Sequence, residues 1–203
     1  MKTDETHIAL ALTGASGALY SQRLLEVLFE QGITVHLMVS AAARILFSDE
    51  LDWTLPSRAS DVHKFIVNEF KCAPELLQVY GEQQWSSPLA SGSHKIATMI
   101  VCPCTMGTLS SIACGSSDNL INRAADVMIK EGRKLIIVPR ETPFSAIHLE
   151  NMLKLARLGV CILPPNPGFY YRPTSIDEVV DFVVAKILDQ ANIDHDIQPR
   201  WGE

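Results

Sequence analysis

No run of apolar residues in this sequence approaches the roughly 18 needed to cross a bilayer. The apolar stretch behind Met1-Lys2-Thr3-Asp4-Glu5-Thr6 is short and broken by Thr13 and Gly14, so neither a membrane span nor a targeting segment is expected. A basic surplus is also missing. Lys and Arg number 17 against 23 Asp and Glu, a formal charge of −6, which is the wrong sign for a nucleic-acid partner. Cys-x-x-Cys is absent, and the five cysteines (Cys72, Cys102, Cys104, Cys114, Cys161) are odd in number and irregularly spaced. The six histidines include no His-Glu-x-x-His and show no ligand spacing. These absences exclude a disulfide scaffold and argue against a metal site, leaving reduced cysteines in a cytoplasmic core. Charged residues are only 20% of the chain and apolar ones 47%, which excludes disorder. A chain of 203 residues buries roughly 70% of its unfolded surface, enough for one self-sufficient domain spanning 1–203.

What is present alternates. Short apolar runs at 7–13, 33–39, 97–102, 134–138 and 160–163 read as strands. Between and after them, 18–31, 41–47, 61–70, 105–113, 119–131, 143–158 and 175–190 read as helices. Residues 48–93 are more polar and the least readable. The run at 97–102 is nearly unbroken, as a parallel strand covered on both faces would be. The pattern predicts an α/β fold: a doubly wound, Rossmann-like or flavodoxin-like parallel sheet with helices on both faces. Ligands of such sheets sit outside the carboxyl ends of the strands, so the residues just after each strand matter most.

After the first strand, Thr13-Gly14-Ala15-Ser16-Gly17 leads into a helix, a turn whose small residues and helix start suit an anion. The spacing is neither Gly-x-Gly-x-x-Gly nor a Walker loop, and the second strand ends in Val39-Ser40 rather than an acid. A mononucleotide such as FMN therefore fits better than NAD. The third strand is followed by Pro103-Cys104-Thr105-Met106-Gly107-Thr108, a second small-residue turn with threonines able to cap a helix. The fourth is followed by Pro139-Arg140-Glu141-Thr142-Pro143, where Thr142 suits an N-cap and Pro143 a first helical position. An adjacent Arg and Glu at that edge point to function. Asp177-Glu178-Val179-Val180-Asp181 looks like a metal-binding acid cluster, but Ser175 with Glu178 reads as a capping box.

Taken in order, these segments resemble the UbiX/Pad family of flavin prenyltransferases. The resemblance rests on Thr13-Gly14-Ala15-Ser16-Gly17-Ala18, on Pro103 to Ser110, on Asp118-Asn119-Leu120 with Arg123 to Val127, on Val138 to Pro143, and on Pro164-Pro165 with Pro167 and Phe169-Tyr170. It implies joining of a dimethylallyl group to reduced FMN, at N5 and then C6, to make prenylated FMN for a UbiD-like decarboxylase. It also implies dimethylallyl monophosphate as donor, no metal, and a homo-oligomer, commonly a dodecamer, with sites shared between subunits. The tail from about 191 to 203 would then lie at a subunit interface. Residue by residue, Gly14, Ala15, Ser16, Ser40, Cys104, Thr105, Met106, Gly107 and Arg140 match FMN contacts, with Ser16 near N5. Tyr170 and Lys186 match positions holding the dimethylallyl phosphate, where Lys130 and Arg140 add positive charge. Arg123 would reach a neighbouring subunit's site. Glu50 and Glu141 match carboxylates near the phosphate, one of them a proton relay. An allylic cation also needs a dry, electron-rich wall, for which Trp85, Trp201 and Tyr170 are the candidates.

Two alternatives share the fold. A flavin-dependent decarboxylase of the peptidyl- or pantothenoyl-cysteine type would carry a His-Ile-x-Leu motif before the central strand and an Asn after that strand's proline. Here His94 is followed by Lys95-Ile96-Ala97, and the turn carries Cys104-Thr105-Met106. A non-catalytic FMN carrier would have no use for Lys130, Arg140, Glu141 and Lys186 together.

Overall fold

The computed structural model describes residues 7–198. Alternation of side chains along the strands decides its layering. In β1 (His7–Leu12), Ile8, Leu10 and Leu12 face one layer while Ala9 and Ala11 face the other. β2 (Thr34–Val39), β4 (Thr98–Cys104) and β5 (Lys134–Pro139) divide the same way, with Leu37, Ile100 and Ile136 on the first face and Met38, Val101 and Ile137 on the second. β3 (Leu77–Tyr80) and the two-residue β6 (Cys161–Ile162) are the edges. All pairings are parallel, in the order β3-β2-β1-β4-β5-β6. Leu10 lies between Leu37 and Ile100. The order reverses between β1 and β4, which is where doubly wound folds open a crevice.

The first face packs against α1 (Ala18–Glu30), α2 (Ala41–Leu51), α3 (Ala59–Phe70) and α7 (Ile176–Ala191), and the second against α4 (Met106–Cys114), α5 (Leu120–Lys130) and α6 (Ala146–Arg157). Five of these helices start at a polar N-cap whose side chain accepts the amide three residues on: Ser40, Thr105, Asn119, Ser145 and Ser175. Among the described residues no helix is long and apolar enough to cross a membrane.

The structure corrects several boundaries. β3 lies inside the polar section in which no strand is expected, and α2 runs on to Leu51, which puts Glu50 on a helix. α6 does not start at Pro143 with Thr142 as its cap. Ser145 caps it, in a reciprocal pair in which His148 Nδ1 accepts the Ser145 amide. Glu178 does not close a capping box on Ser175, because its carboxylate takes the amide and hydroxyl of Thr174. β4 continues through Pro103, which has no N–H, and its register with β5 shifts between Val101 and Cys104. The carbonyls of Cys102 and Pro103 are met by buried hydroxyls, Ser21 at 2.8 Å and Thr13 at 2.7 Å. Cys102 and Cys104 face opposite layers, although regular alternation places residues two apart on one face; the irregularity between Val101 and Cys104 turns Cys104 over. Burial raises both thiols, Cys102 to about 12. The described part of the tail packs back on its own chain, with Ile193 buried and the Asp194 carbonyl accepting from Gln31 Nε2. Trp201 lies outside the described residues.

One polar chain crosses the second face. The Tyr80 hydroxyl donates to Gln78 at 2.7 Å and is 3.0 Å from His36 Nδ1, while His36 Nε2 is 3.0 Å from His7 Nδ1. Because Tyr80 gives its proton to Gln78, His36 donates from Nδ1, and in the neutral ring Nε2 is then left to accept from His7. Burial, then the charges of His7 and His94, pushes His36 from 6.5 down to about 4. The unfolded chain takes up a proton near 6.5 that the folded chain refuses until about 4, so the stabilisation is complete above 6.5 and fades as pH falls through that window. Urea unfolding should show stability declining from pH 6.5 to 4 with a component that His36→Asn removes; an identical slope in the variant would show that the ring plays no part.

Candidate active site

Four strand ends meet at the carboxyl edge, and each is tied to its neighbour. The Ser40 amide, after β2, donates to the Leu12 carbonyl of β1 at 3.0 Å. Thr13, after β1, donates its hydroxyl to the Pro103 carbonyl and accepts from the Thr105 amide at 2.9 Å. The Arg140 amide, after β5, donates to the Cys104 carbonyl at 3.2 Å. Residues 13–17, 40, 104–107 and 140 are thereby one continuous edge, although they come from four separate parts of the chain.

α2 lies along the turn at 14–18. A Cβ on Gly14 would sit 2.5 Å from Ala42 Cβ, so no side chain fits there. Gly17 takes φ 118°, which favours glycine, as it enters α1. From the last turn of α2, Glu50 Oε2 accepts the amides of Gly17 at 2.9 Å and Ala18 at 2.8 Å. Burial works against its charge, but the Ser16 hydroxyl, these two amides and the Arg140 guanidinium together hold the Glu50 carboxyl below the usual range. The anion at the start of α1 is thus the protein's own carboxylate. Glu82 does the same at α2, where Oε2 accepts the Ala41 amide at 3.2 Å.

The start of α4 differs. Thr105 Oγ1 accepts the Thr108 amide and donates to the Thr108 hydroxyl, and no carboxylate of the described residues lies on the first amides of the helix. Gly107 is exposed, and a Cβ there would meet nothing closer than 3.8 Å. Beside it, Arg140 Nε is buried with no partner. A buried guanidinium N–H without an acceptor is costly and marks a place for one.

Compared with known proteins, the Flavoprotein family pattern matches residues 1–188. Flavin prenyltransferase UbiX of Pseudomonas aeruginosa is 50% identical over 196 residues, covering 97% of this chain and 94% of that one. The chain belongs to the flavin prenyltransferase family. Among solved structures, AnUbiX (PadA1) in complex with FMN and dimethylallyl pyrophosphate superposes with a TM-score of 0.86 at 37% identity, covering 98% of both chains. A dodecameric FMN-dependent UbiX-like decarboxylase from Escherichia coli O157:H7 gives 0.86 at 39%, covering 98% of this chain and all of the other.

Within a single chain of this flavin prenyltransferase family member, the expected residues fall into three groups. Gly14, Ala15, Ser16, Ser40, Cys104, Thr105, Met106, Gly107, Arg140 and Glu50 share the edge just described. Glu141 adjoins it, half-buried, with Oε1 on the Thr142 amide at 3.1 Å. Tyr170 and Lys186 share a second place: Tyr170 stands edge-on to Phe182 at 6.0 Å, and Lys186 Nζ lies 5.9 Å from the same ring and 3.2 Å from Asp189. The remainder lie apart. Lys130 ends α5 at the opposite, amino edge of the sheet and pairs with Glu131. Arg123 holds the Ala90 carbonyl at 3.0 Å and Asp126 at 2.8 Å, and Trp85 is exposed on the loop after β3.

Sequence reasoning quotes Thr13 in its motif but assigns it no role. A polar residue directly between a buried strand and a glycine turn is the signal for it. Glu82 has no such signal. Glu50→Ala removes the acceptor of two helix-start amides and should lower stability by about 1 kcal/mol near neutral pH. Because the folded carboxyl is held below its ordinary 4.5, this contribution is complete above that value and is lost as pH falls through the carboxylate range. Denaturant titrations of variant and wild type should therefore converge in acid, and a gap that persists there would remove the charge from the explanation.

Proposed function

We propose that this chain transfers a dimethylallyl group from dimethylallyl monophosphate to reduced FMN, without a metal, to make prenylated FMN for a UbiD-like decarboxylase. The observation that carries the reading is the unpartnered, buried Nε of Arg140 beside the Glu50-Ser16 pair at the strand-order reversal. The residues fit an FMN. The free start of α4 with Ser40 suits its phosphate, and Arg140 and the turn at 14–16 suit the polar edge of a planar ring. Two internal carboxylates already fill the starts of α1 and α2, which directs a phosphate to α4.

Bound reduced FMN supplies the nucleophilic N5 and C6 at which the two new bonds form. The rest is the work of this chain's residues. When the allylic C–O bond of the donor breaks, both electrons leave with the phosphate, and fixed cations aimed at it stabilise the charge as it develops. Arg140 fills that role from this edge; Lys186, with Tyr170 as a hydrogen-bond partner, fills it from the second group, contributed to a neighbour's site in the homo-oligomer. The allylic cation needs an electron-rich wall, for which the Tyr170 ring is the candidate among the described residues grouped with Lys186. Ser16 and Glu50 hold the proton nearest the ring, and Glu141 is the second carboxylate able to move one. Lys130 ends α5 at the amino edge and Arg123 is engaged with Ala90 and Asp126, which supports a homo-oligomer, a dodecamer by analogy, in which they serve a neighbour's site. Five cysteines outside any disulfide support a cytoplasmic setting.

The test is anaerobic incubation of the purified protein with reduced FMN and dimethylallyl monophosphate, followed by the mass of the extracted flavin. A gain of one prenyl unit that Glu141→Gln abolishes while FMN stays bound is expected. Unmodified FMN with the wild-type protein would leave a carrier.

A further inference from the structure

Thr13 is almost fully buried, at 1% exposure, and its hydroxyl does two things at once. It donates to the Pro103 carbonyl at 2.7 Å and accepts the Thr105 amide at 2.9 Å. The two groups flank Cys104, so one oxygen spans the point at which β4 turns into α4. Thr13 itself is the residue from which the turn at 14–17 departs. A single side chain therefore fixes the distance between the two turns that face each other across the strand-order reversal. Its neighbours do not duplicate the task. Ser21 also gives a buried hydroxyl to β4, but to the Cys102 carbonyl, one residue further into the strand and from within α1. The Ser40 and Arg140 amides tie the outer strand ends to β1 and β4 by backbone bonds that any residue could make.

We propose that Thr13 is a positioning residue for FMN: its hydroxyl holds the turn at 14–16 and the turn at 104–107 at the separation the flavin requires. This rests on the reading above that both turns hold FMN. Among the described residues the Thr13 oxygen is the side-chain partner of both the Pro103 carbonyl and the Thr105 amide. Removing the Thr13 oxygen leaves a buried carbonyl and a buried amide unpaired, and the two turns are then free to drift apart. A ligand that must touch both loses affinity, whereas one held elsewhere does not.

The experiment uses the full chain and four variants: Thr13→Val, which keeps shape and removes the oxygen; Thr13→Ser, which keeps the oxygen; Ser21→Ala as a control of equal burial; and Thr13→Ala, to be used under the same criteria if Thr13→Val does not fold. FMN affinity is read from flavin fluorescence quenching, folding from the thermal midpoint without FMN, and kcat and KM for dimethylallyl monophosphate at saturating reduced FMN. Thr13→Val should weaken FMN binding about tenfold or more, and Thr13→Ser should return it to within about twofold of wild type. Ser21→Ala should lower the thermal midpoint with FMN affinity unchanged, and KM for the prenyl donor should hold in all of them. Equal FMN affinity in wild type and Thr13→Val overturns the latch, as does Thr13→Ser binding as weakly as Thr13→Val, or Ser21→Ala weakening FMN as much. A wild-type chain that does not bind FMN overturns the reading of the site and the latch with it, whereas binding by wild type with no effect of Thr13→Val overturns the latch alone.

Discussion

Pro103 stands in β4, one of the two strands that flank the reversal, and it has no N–H to offer the sheet. A proline inside a sheet is ordinarily confined to an edge, because each missing donor breaks the ladder on which a central strand depends. Here the break is absorbed by a register shift and by hydroxyls from outside the sheet, Ser21 from α1 and Thr13 from the end of β1. The arrangement turns a defect into an opening. Past the irregularity β4 pairs with β5 again at Cys104, one step out of its earlier register, and α4 then starts with no acid on its first amides. The residues that repair the backbone also define the edge at which the ligand sits.

Electrostatics at that edge are local. An acidic chain with a charge of −6 does not attract a phosphate from a distance, and two of the helix starts are already matched with Glu50 and Glu82. What remains is the start of α4 without an acid, and the buried Nε of Arg140 without an acceptor. At hydrogen-bond distance a few atoms outweigh the overall sign, which acts from further off and through screening salt. Glu50 has a double part in this balance: it neutralises the start of α1 and orders the Ser16 hydroxyl against the Arg140 charge.

Much of the fold was legible because parallel strands covered on both faces are apolar throughout. Stretches such as Thr98 to Val101 or Leu135 to Val138 leave little room for another reading. β3 was not legible, because Leu77-Gln78-Val79-Tyr80 is a short edge strand carrying one exposed residue and a tyrosine bound into a polar chain. The start of α6 was misread because Thr142-Pro143 satisfies the rule for a helix start as well as Ser145 does, and only the His148 side chain decides between them. Within the site, the glycine turn, Ser40, the turn at 104–107 and Arg140 could be picked out because each follows a strand. What Glu50 touches lies 32 and 33 residues away in sequence, beyond any periodicity. Lys130 shows the converse limit: its position relative to Arg140 follows from the direction of α5, which sends the helix end to the far edge of the sheet.

The contact between Gly14 and Ala42 bears on how such a pocket could be redesigned. With 2.5 Å between a Cβ at one position and the Cβ of the other, neither residue can grow unless the other yields. α2 carries Ser40 at its head, Ala42 against the turn and Glu50 at its tail, so the helix and the turn are a single moving part. A library that varies the turn alone would sample mostly broken proteins. One that co-varies positions 14 and 42, or transplants the stretch from 13 to 50 as a block, keeps the seat intact and leaves the opposite wall, from 104 to 107 and at 140, as the surface free to change.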